Sequence, residues 1–274
     1  MGPLKDIKIL EFSGIGPGPF CGMLLADMGA DVIRIGKKGT EGLENKFDIH
    51  NRSKRSITAN LKNQKTVNEI LKLIGQVDGV FEGYRPGVME KLGLGPDICL
   101  ERNPKLVYGR MTGWGQEGPM SNLAGHDINY ISLSGALNAI GRKDSNPLAP
   151  LNLIGDYGGG GMHLALGMVS GLIHSLKTGE GQVIDSAMID GSLSLMSFFY
   201  SLKEMGDWED KRESNLLDGF AHFYDTYQCK DNKYIAVGSI EPQFYNELLE
   251  KLEIDDKKFS DQYNKGLWSE LKGL

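Results

Sequence analysis

The sequence predicts an α/β fold in which an open, Rossmann-like parallel sheet forms a large domain and a small α+β domain follows it. Three observations carry that expectation. Apolar strand-like runs alternate with amphipathic helical stretches up to about residue 115, the pattern of βαβ units and a doubly wound sheet. A glycine-rich turn, Ser13-Gly14-Ile15-Gly16-Pro17-Gly18-Pro19, joins the first such run to the first helix. Near the other end, His222–Gln228 and Tyr234–Ser239 flank the polar segment Cys229-Lys230-Asp231-Asn232-Lys233, which reads as a β-hairpin.

Taken in order, Ile7–Phe12 is a buried strand, Phe20–Met28 an apolar helix and Asp31–Ile35 a second strand. Ser56–Leu61 follows as a strand, then helix Lys65–Gly75, whose Val67, Ile70, Leu71 and Ile74 recur at helical spacing. Strand Gly79–Glu82, a short helix near Val88–Leu92 and strand Lys105–Met111 complete the alternation. Helical periodicity returns over Asp127–Ile140 and Gly161–Leu176, the latter stopped by Gly179-Glu180-Gly181. A strand at Gln182–Asp185 and a helix over Gly191–Met205 come next. The charge-dense stretch 206–220 reads as a solvated connection. After the hairpin, helix Gln243–Leu252 leads into a charged, poorly patterned tail. The expected division is therefore a large domain over 1–186, a helix and connection over 187–221, and a small domain over 222–274. A hairpin with one or two helices buries too little apolar surface to stand alone.

Composition narrows the function. The chain has 274 residues, enough to bury roughly 70–75% of its unfolded surface. With 30 basic and 36 acidic residues the net charge is −6, so a nucleic-acid partner, which needs a positive field, is not expected. Three dispersed cysteines, Cys21, Cys99 and Cys229, offer neither a disulfide framework nor paired zinc-ligand spacings. They fit a reducing compartment. No stretch reaches the ~18–20 apolar residues of a membrane span, and the start of the chain lacks a signal-peptide apolar core, so neither membrane insertion nor secretion is expected. Glycine is the outlier, at 37 residues, about twice its usual ~7% share.

Several segments carry potential chemistry. The first turn places backbone N–H groups before a helix, where an anion can bind, although its two prolines remove donors and a tight turn alone would account for it. Gly36-Lys37-Lys38 after the second strand suits a phosphate. Arg52, Lys54, Arg55, Lys62, Arg85 and Lys91 follow or precede other strands. In open α/β sheets ligands bind at the carboxyl ends of the strands, so these residues are either a converging phosphate site or ordinary surface charge. In Leu123-Ala124-Gly125-His126-Asp127-Ile128-Asn129-Tyr130, His126 falls at or just before a helix N-terminus, where the dipole favours the neutral imidazole that a general base needs. Asp127 is a natural N-cap there. Asp156, followed by Tyr157 and four glycines, is either a helix cap or a carboxylate beside which backbone approaches a ligand. Glu241, before Pro242, either caps the last helix or orients a histidine. His163 and His174 sit in apolar helical runs and read as packed residues, while His50 and His222 carry no pattern. Met188, Met196 and Met205 read as core or as an adaptable acyl surface.

The motifs Gly125-His126-Asp127-Ile128-Asn129-Tyr130, Pro150-Leu151-Asn152-Leu153, Gly155-Asp156-Tyr157-Gly158-Gly159-Gly160, Gly179–Asp185 and Ala236–Tyr245 closely resemble the racemase branch of the family III CoA-transferase superfamily. The resemblance runs along essentially the whole chain. It implies a 1,1-proton transfer that interconverts the (R) and (S) forms of a 2-methylacyl-CoA through an enolate, with His126 and Asp156 as the two bases and Glu241 orienting His126. The enolate would be held at the glycine-rich opening of the helix after Asp156. CoA contacts would fall on Lys37, on Ala59, Asn60, Leu61 and Lys62, on Gly83, Tyr84 and Arg85, on Lys91, and on Gly125, Asp127, Ile128, Asn129 and Tyr130. No metal or separate cofactor is implied, CoA being part of the substrate. The expected partners are an acyl-CoA thioester and a second copy in an interlocked homodimer, with active sites between the large domain of one chain and the small domain of the other. Family members continue well past the position of Leu274, so the small domain is expected to be C-terminally shortened here. The compartment expected is the cytoplasm in a bacterium, and the peroxisome or mitochondrion in a eukaryote. The rival reading is a CoA-transferase with Asp156 as nucleophile, or an inactive CoA-binding homologue.

Overall fold

A computed structural model describes residues 2–12, 14–37 and 47–274; Ser13 of the first turn and Lys38 lie outside them. The chain divides into two compact units, one formed by 1–134 with 151–196 and the other by 135–150 with 197–274.

The first unit is built on six parallel strands, β1 (Lys8–Phe12), β2 (Asp31–Gly36), β3 (Arg55–Thr58), β4 (Gly79–Glu82), β5 (Val107–Thr112) and β6 (Gln182–Ala187), in the order β3-β2-β1-β4-β5-β6. The chain winds outward in both directions from β1 and β4. Loops there leave toward opposite faces and open a crevice at the carboxyl ends. On one face α1 (Pro17–Asp27) and α7 (His163–Thr178) pack through Cys21, Leu25, Leu164 and Met168 on Ile9, Phe81 and Val107. On the other, α2 (Gln64–Ile74), the short α3 (Val88–Lys91) and α4 (Pro96–Arg102) cover Leu10, Ile35, Val80 and Tyr108. Gly109 in β5 is required by that packing, since a Cβ there would lie 2.7 Å from Met168 Sδ.

Several boundaries differ from the sequence reading, each for a local reason. Helix α1 starts at Pro17 rather than Phe20, because the preset φ of proline suits a first turn whose N–H groups have no helical partner. The expected helix 127–140 is two, α5 (Asp127–Leu133) and α6 (Ala136–Ala139), broken where Gly135 takes φ +78°. The expected helix 191–205 is α8 (Met188–Leu195) and α9 (Ser197–Met205), which fall in different units. Ahead of α7, residues Leu153–Met162 form a ten-residue π-helical segment. A π stretch is rare and frequently marks a functional site. Here Asp156 and the glycine run lie inside the helix, not at its opening.

In the second unit β7 (Tyr224–Gln228) and β8 (Tyr234–Gly238) pair antiparallel, and α10 (Pro242–Lys251) packs beside them. The tail is more ordered than its charge suggests. Helix α11 (Lys265–Lys272) buries Trp268, which joins Ala221, Phe223 and Tyr245 in a small core.

Candidate active site

The crevice at the carboxyl ends of β1, β4 and β5 is a cavity of about 650 Å³ within the first unit. Its walls come from the β1–α1 turn, the segment after β4, the approach to α5 and the π-helical segment. His126 and Asp156, thirty positions apart in sequence, both line it, as do Gly83, Tyr84, Arg85, Gly125 and Tyr130. Lys37, Asn60, Lys62 and Lys91 are exposed and follow β2, β3 and β4 at the same edge of the sheet, outside the cavity itself, with half-buried Leu61 and buried Ala59 between them. Of the α5 residues, Ile128 and Asn129 are exposed and Asp127 is buried.

His126 occupies the N-cap position of α5, and its backbone N–H donates to Asn129 Oδ1 at 3.0 Å. The cap assigned to Asp127 is therefore displaced by one residue. Asp127 is only 5% exposed, and its Oδ2 instead accepts the backbone N–H of Asp156 at 2.7 Å. Asp156 is half-buried on the π-helical segment, with Asn152 Nδ2 donating to its Oδ2 at 3.2 Å. Burial raises the Asp156 carboxyl above the usual carboxylate range; the Asn152 hydrogen bond opposes this, the charge of Asp127 adds to it, and His126 opposes it. The result is a carboxyl that holds its proton more readily than a surface aspartate, facing the same space as an imidazole.

The glycines after Asp156 serve packing rather than a ligand. A Cβ on Gly159 would lie 2.6 Å from Ser192 N, and one on Gly161 2.7 Å from Pro17 O. The segment is clamped between α1 and α8 by backbone contact, and its N–H groups belong to the helical ladder instead of an open helix end. Gly125 has a similar reason, since its Cβ would strike Tyr130 and Trp114, whose rings meet edge to face at 4.7 Å.

Three of the basic residues expected to converge on a phosphate are already committed. Arg52 pairs with Asp27 and Arg55 with Asp31. Lys54, its side chain 2% exposed, bonds Glu11 Oε2 at 2.6 Å and Pro19 O at 2.8 Å. Arg34, on β2 beside Glu11, completes that buried group and also lines the cavity. Sequence reasoning passed over Arg34 and Glu11, although a charge inside an otherwise apolar parallel strand was a signal. It also passed over His50, which lies in the cavity wall with its ring 5.6 Å from that of Tyr157, and gave no role to Asn152, although it stands inside the Pro150-Leu151-Asn152-Leu153 motif. Met188 lines the cavity, whereas Met196 and Met205 do not. Glu241 belongs to the second unit, where it is exposed at the N-cap position of α10 without a side-chain capping bond.

A doubly wound sheet with a histidine and a carboxyl lining one crevice at its switch point is an arrangement whose groups can each give or take a proton. The CoA-transferase family III profile matches residues 4–267, and the chain belongs to that family. It is 46% identical over 269 residues to α-methylacyl-CoA racemase of Mus musculus, covering 98% of this chain and 70% of that protein. It is 44% identical over 271 residues to the racemase of Homo sapiens, with the same coverage. A CAIB/BAIF family protein from Brucella suis superposes with a TM-score of 0.81 at 25% identity, over 99% of this chain and 78% of that one. Among the described residues no helix is long and apolar enough to cross a membrane.

Proposed function

We propose that this protein is an isomerase, an α-methylacyl-CoA racemase that inverts the 2-position of 2-methylacyl-CoA thioesters by two-base proton transfer. The observation that carries the reading is the presence of His126 and Asp156 in one cavity of a chain 44–46% identical to two such racemases. A thioester α-proton is weakly acidic, so one group must remove it while the enolate oxygen is stabilised, and another must protonate the opposite face. The imidazole of His126 takes the proton in one direction. The Asp156 carboxyl, with its raised proton affinity, returns one from the other side, and the roles exchange for the reverse reaction.

CoA lies along the carboxyl edge of the sheet in this proposal. Lys37, Lys62, Arg85 and Lys91 meet its phosphates, Ala59–Leu61 the adenosine end, and Gly83, Tyr84, Gly125 and Ile128–Tyr130 the pantetheine arm, with buried Asp127 behind them. Glu241 of a second copy orients His126 in an interlocked homodimer, and the work of the enzyme is in the metabolism of branched fatty acyl chains. No cofactor beyond the substrate's own CoA takes part.

Incubation with a 2-methylacyl-CoA in deuterated water tests this. Deuterium enters the α-position without any acid acceptor, and His126→Ala or Asp156→Asn lowers the exchange rate by about 10²–10⁴-fold. Acceptor-dependent CoA transfer with no exchange would instead make Asp156 a nucleophile, and CoA binding with neither reaction would leave only the binding function.

A further inference from the structure

We propose that Asp127 is a positioning residue whose buried carboxylate ties the turn bearing His126 to the π-helical segment bearing Asp156 and so sets the separation of the two bases. The inference rests on the reading of Asp156 as an acid–base group. Asp127 directly follows His126 in the chain, and its Oδ2 accepts the backbone N–H of Asp156 at 2.7 Å. One residue thus touches both halves of the site. Its Oδ1 is buried with no hydrogen-bond partner among the described residues, which is costly for a carboxylate unless the placement is needed. The cap of α5 does not explain it, because the first-turn bond is made between His126 N–H and Asn129. The opposing surface is shaped to the carboxylate as well. A Cβ on Gly155 would lie 2.8 Å from Asp127 Oδ2 and 3.1 Å from its Cα, so only glycine lets the two segments approach.

The carboxylate has a second consequence, because its charge faces Asp156 and favours the protonated acid. The other groups facing Asp156 are His126 and Tyr130 from α5 and the Asn152 amide from its own segment. From the β1–α1 turn, Gly16 approaches most closely and bears no charge. Asp127 is therefore the one anionic neighbour among them.

The test compares Asp127→Asn, which keeps an acceptor for the Asp156 N–H but removes the charge, with Asp127→Ala, which removes both. In protein labelled with ¹³C at aspartate carboxyls, the Asp156 signal is assigned by its loss in Asp156→Asn. Its titration midpoint should fall in Asp127→Asn. The corresponding limb of the α-proton exchange profile should move the same way, with kcat reduced about tenfold and KM for acyl-CoA within twofold. Asp127→Ala should lower kcat about a hundredfold, as expected when a reacting group is misplaced by around 1 Å. An unmoved Asp156 midpoint in Asp127→Asn overturns the proposal, as does a rise in KM with kcat preserved in both variants, which would make Asp127 a substrate contact. A midpoint that moves in Asp127→Asn while the wild-type protein shows no α-proton exchange removes the racemase reading and leaves the coupling of Asp127 to Asp156 in place.

Discussion

Replacing Lys54 with methionine tests the buried charge group beneath the candidate site. In the native chain Lys54 Nζ sits 2.6 Å from Glu11 Oε2 and 2.8 Å from Pro19 O, while Glu11 is fully buried and the next cation, Arg34, is 3.7 Å away. Burial pushes the Glu11 carboxyl up to about 7, with Lys54 and Arg34 opposing the shift. Burial lowers Lys54, with Glu11 opposing. Removing one member of a buried ion pair costs about 3–5 kcal/mol because the remaining charge is stranded. The Pro19 carbonyl, which lies in the first turn of α1, also loses its donor. The cost must depend on pH, and its sign follows from linkage. A carboxyl raised in the folded state binds more protons folded than unfolded, so stability falls as pH rises from about 4.5 toward the folded value. The wild type loses stability over that window up to about 7. Without Lys54 the folded value moves higher, so the loss continues above pH 7. Urea unfolding of both proteins at pH 5, 7 and 8.5 should give a difference of about 3–5 kcal/mol at pH 8.5 that narrows clearly at pH 5. A difference below about 1 kcal/mol at pH 8.5, or one that stays constant with pH, would refute the stranded-charge reasoning. The double variant with Glu11→Gln should recover most of the loss.

Three further substitutions probe packing and charge elsewhere. Gly191→Ala places a Cβ 1.9 Å from Gly159 O, so α8 must move off the π-helical segment at a cost of about 3 kcal/mol or more. Gly14→Ala, with nothing within 4 Å, should stay within about 0.5 kcal/mol of wild type; equal midpoints in urea for the two variants would contradict the clamp. In the second unit Asp225 accepts from Arg142 at 2.7 Å and from Lys272 at 2.6 Å. Despite burial those partners hold its carboxyl below the ordinary value. The stability it contributes is thus present above the usual carboxylate range and is lost as pH falls through the lowered value. Asp225→Asn should lower the thermal midpoint at pH 7, and by less as the pH falls below the usual carboxylate range; an unchanged midpoint at pH 7 would show the ion pairs to be neutral in energy. The exchange losses of His126→Ala and Asp156→Asn, and the shifted midpoint of Asp127→Asn, complete the set.

Much of this molecule could be read from local pattern. The alternation of β and α periods specifies a doubly wound sheet because strands buried on both faces and helices buried on one leave different apolar spacings. The Gly-His-Asp turn and the aspartate before the glycines were visible as polar interruptions of helical runs, and His126 does stand at the start of α5. What pattern could not supply was anything set by contact between distant segments. Gly159 and Gly191 look like residues that merely open helices until two backbones are seen to touch through them. Lys54 and Arg52 look like surface cations until Glu11 and Asp27 are brought beside them. Periodicity continued through Gly135 and Met196, yet each helix ended there, at Gly135 through a left-handed backbone and at Met196 where the chain leaves one unit for the other. Asp127 and Asp156 meet only because the packing of α5 on the π-helical segment folds twenty-nine residues of chain into a 2.7 Å hydrogen bond. Spacing along a chain encodes which face of an element is apolar; it does not encode which far-off atom that face will meet.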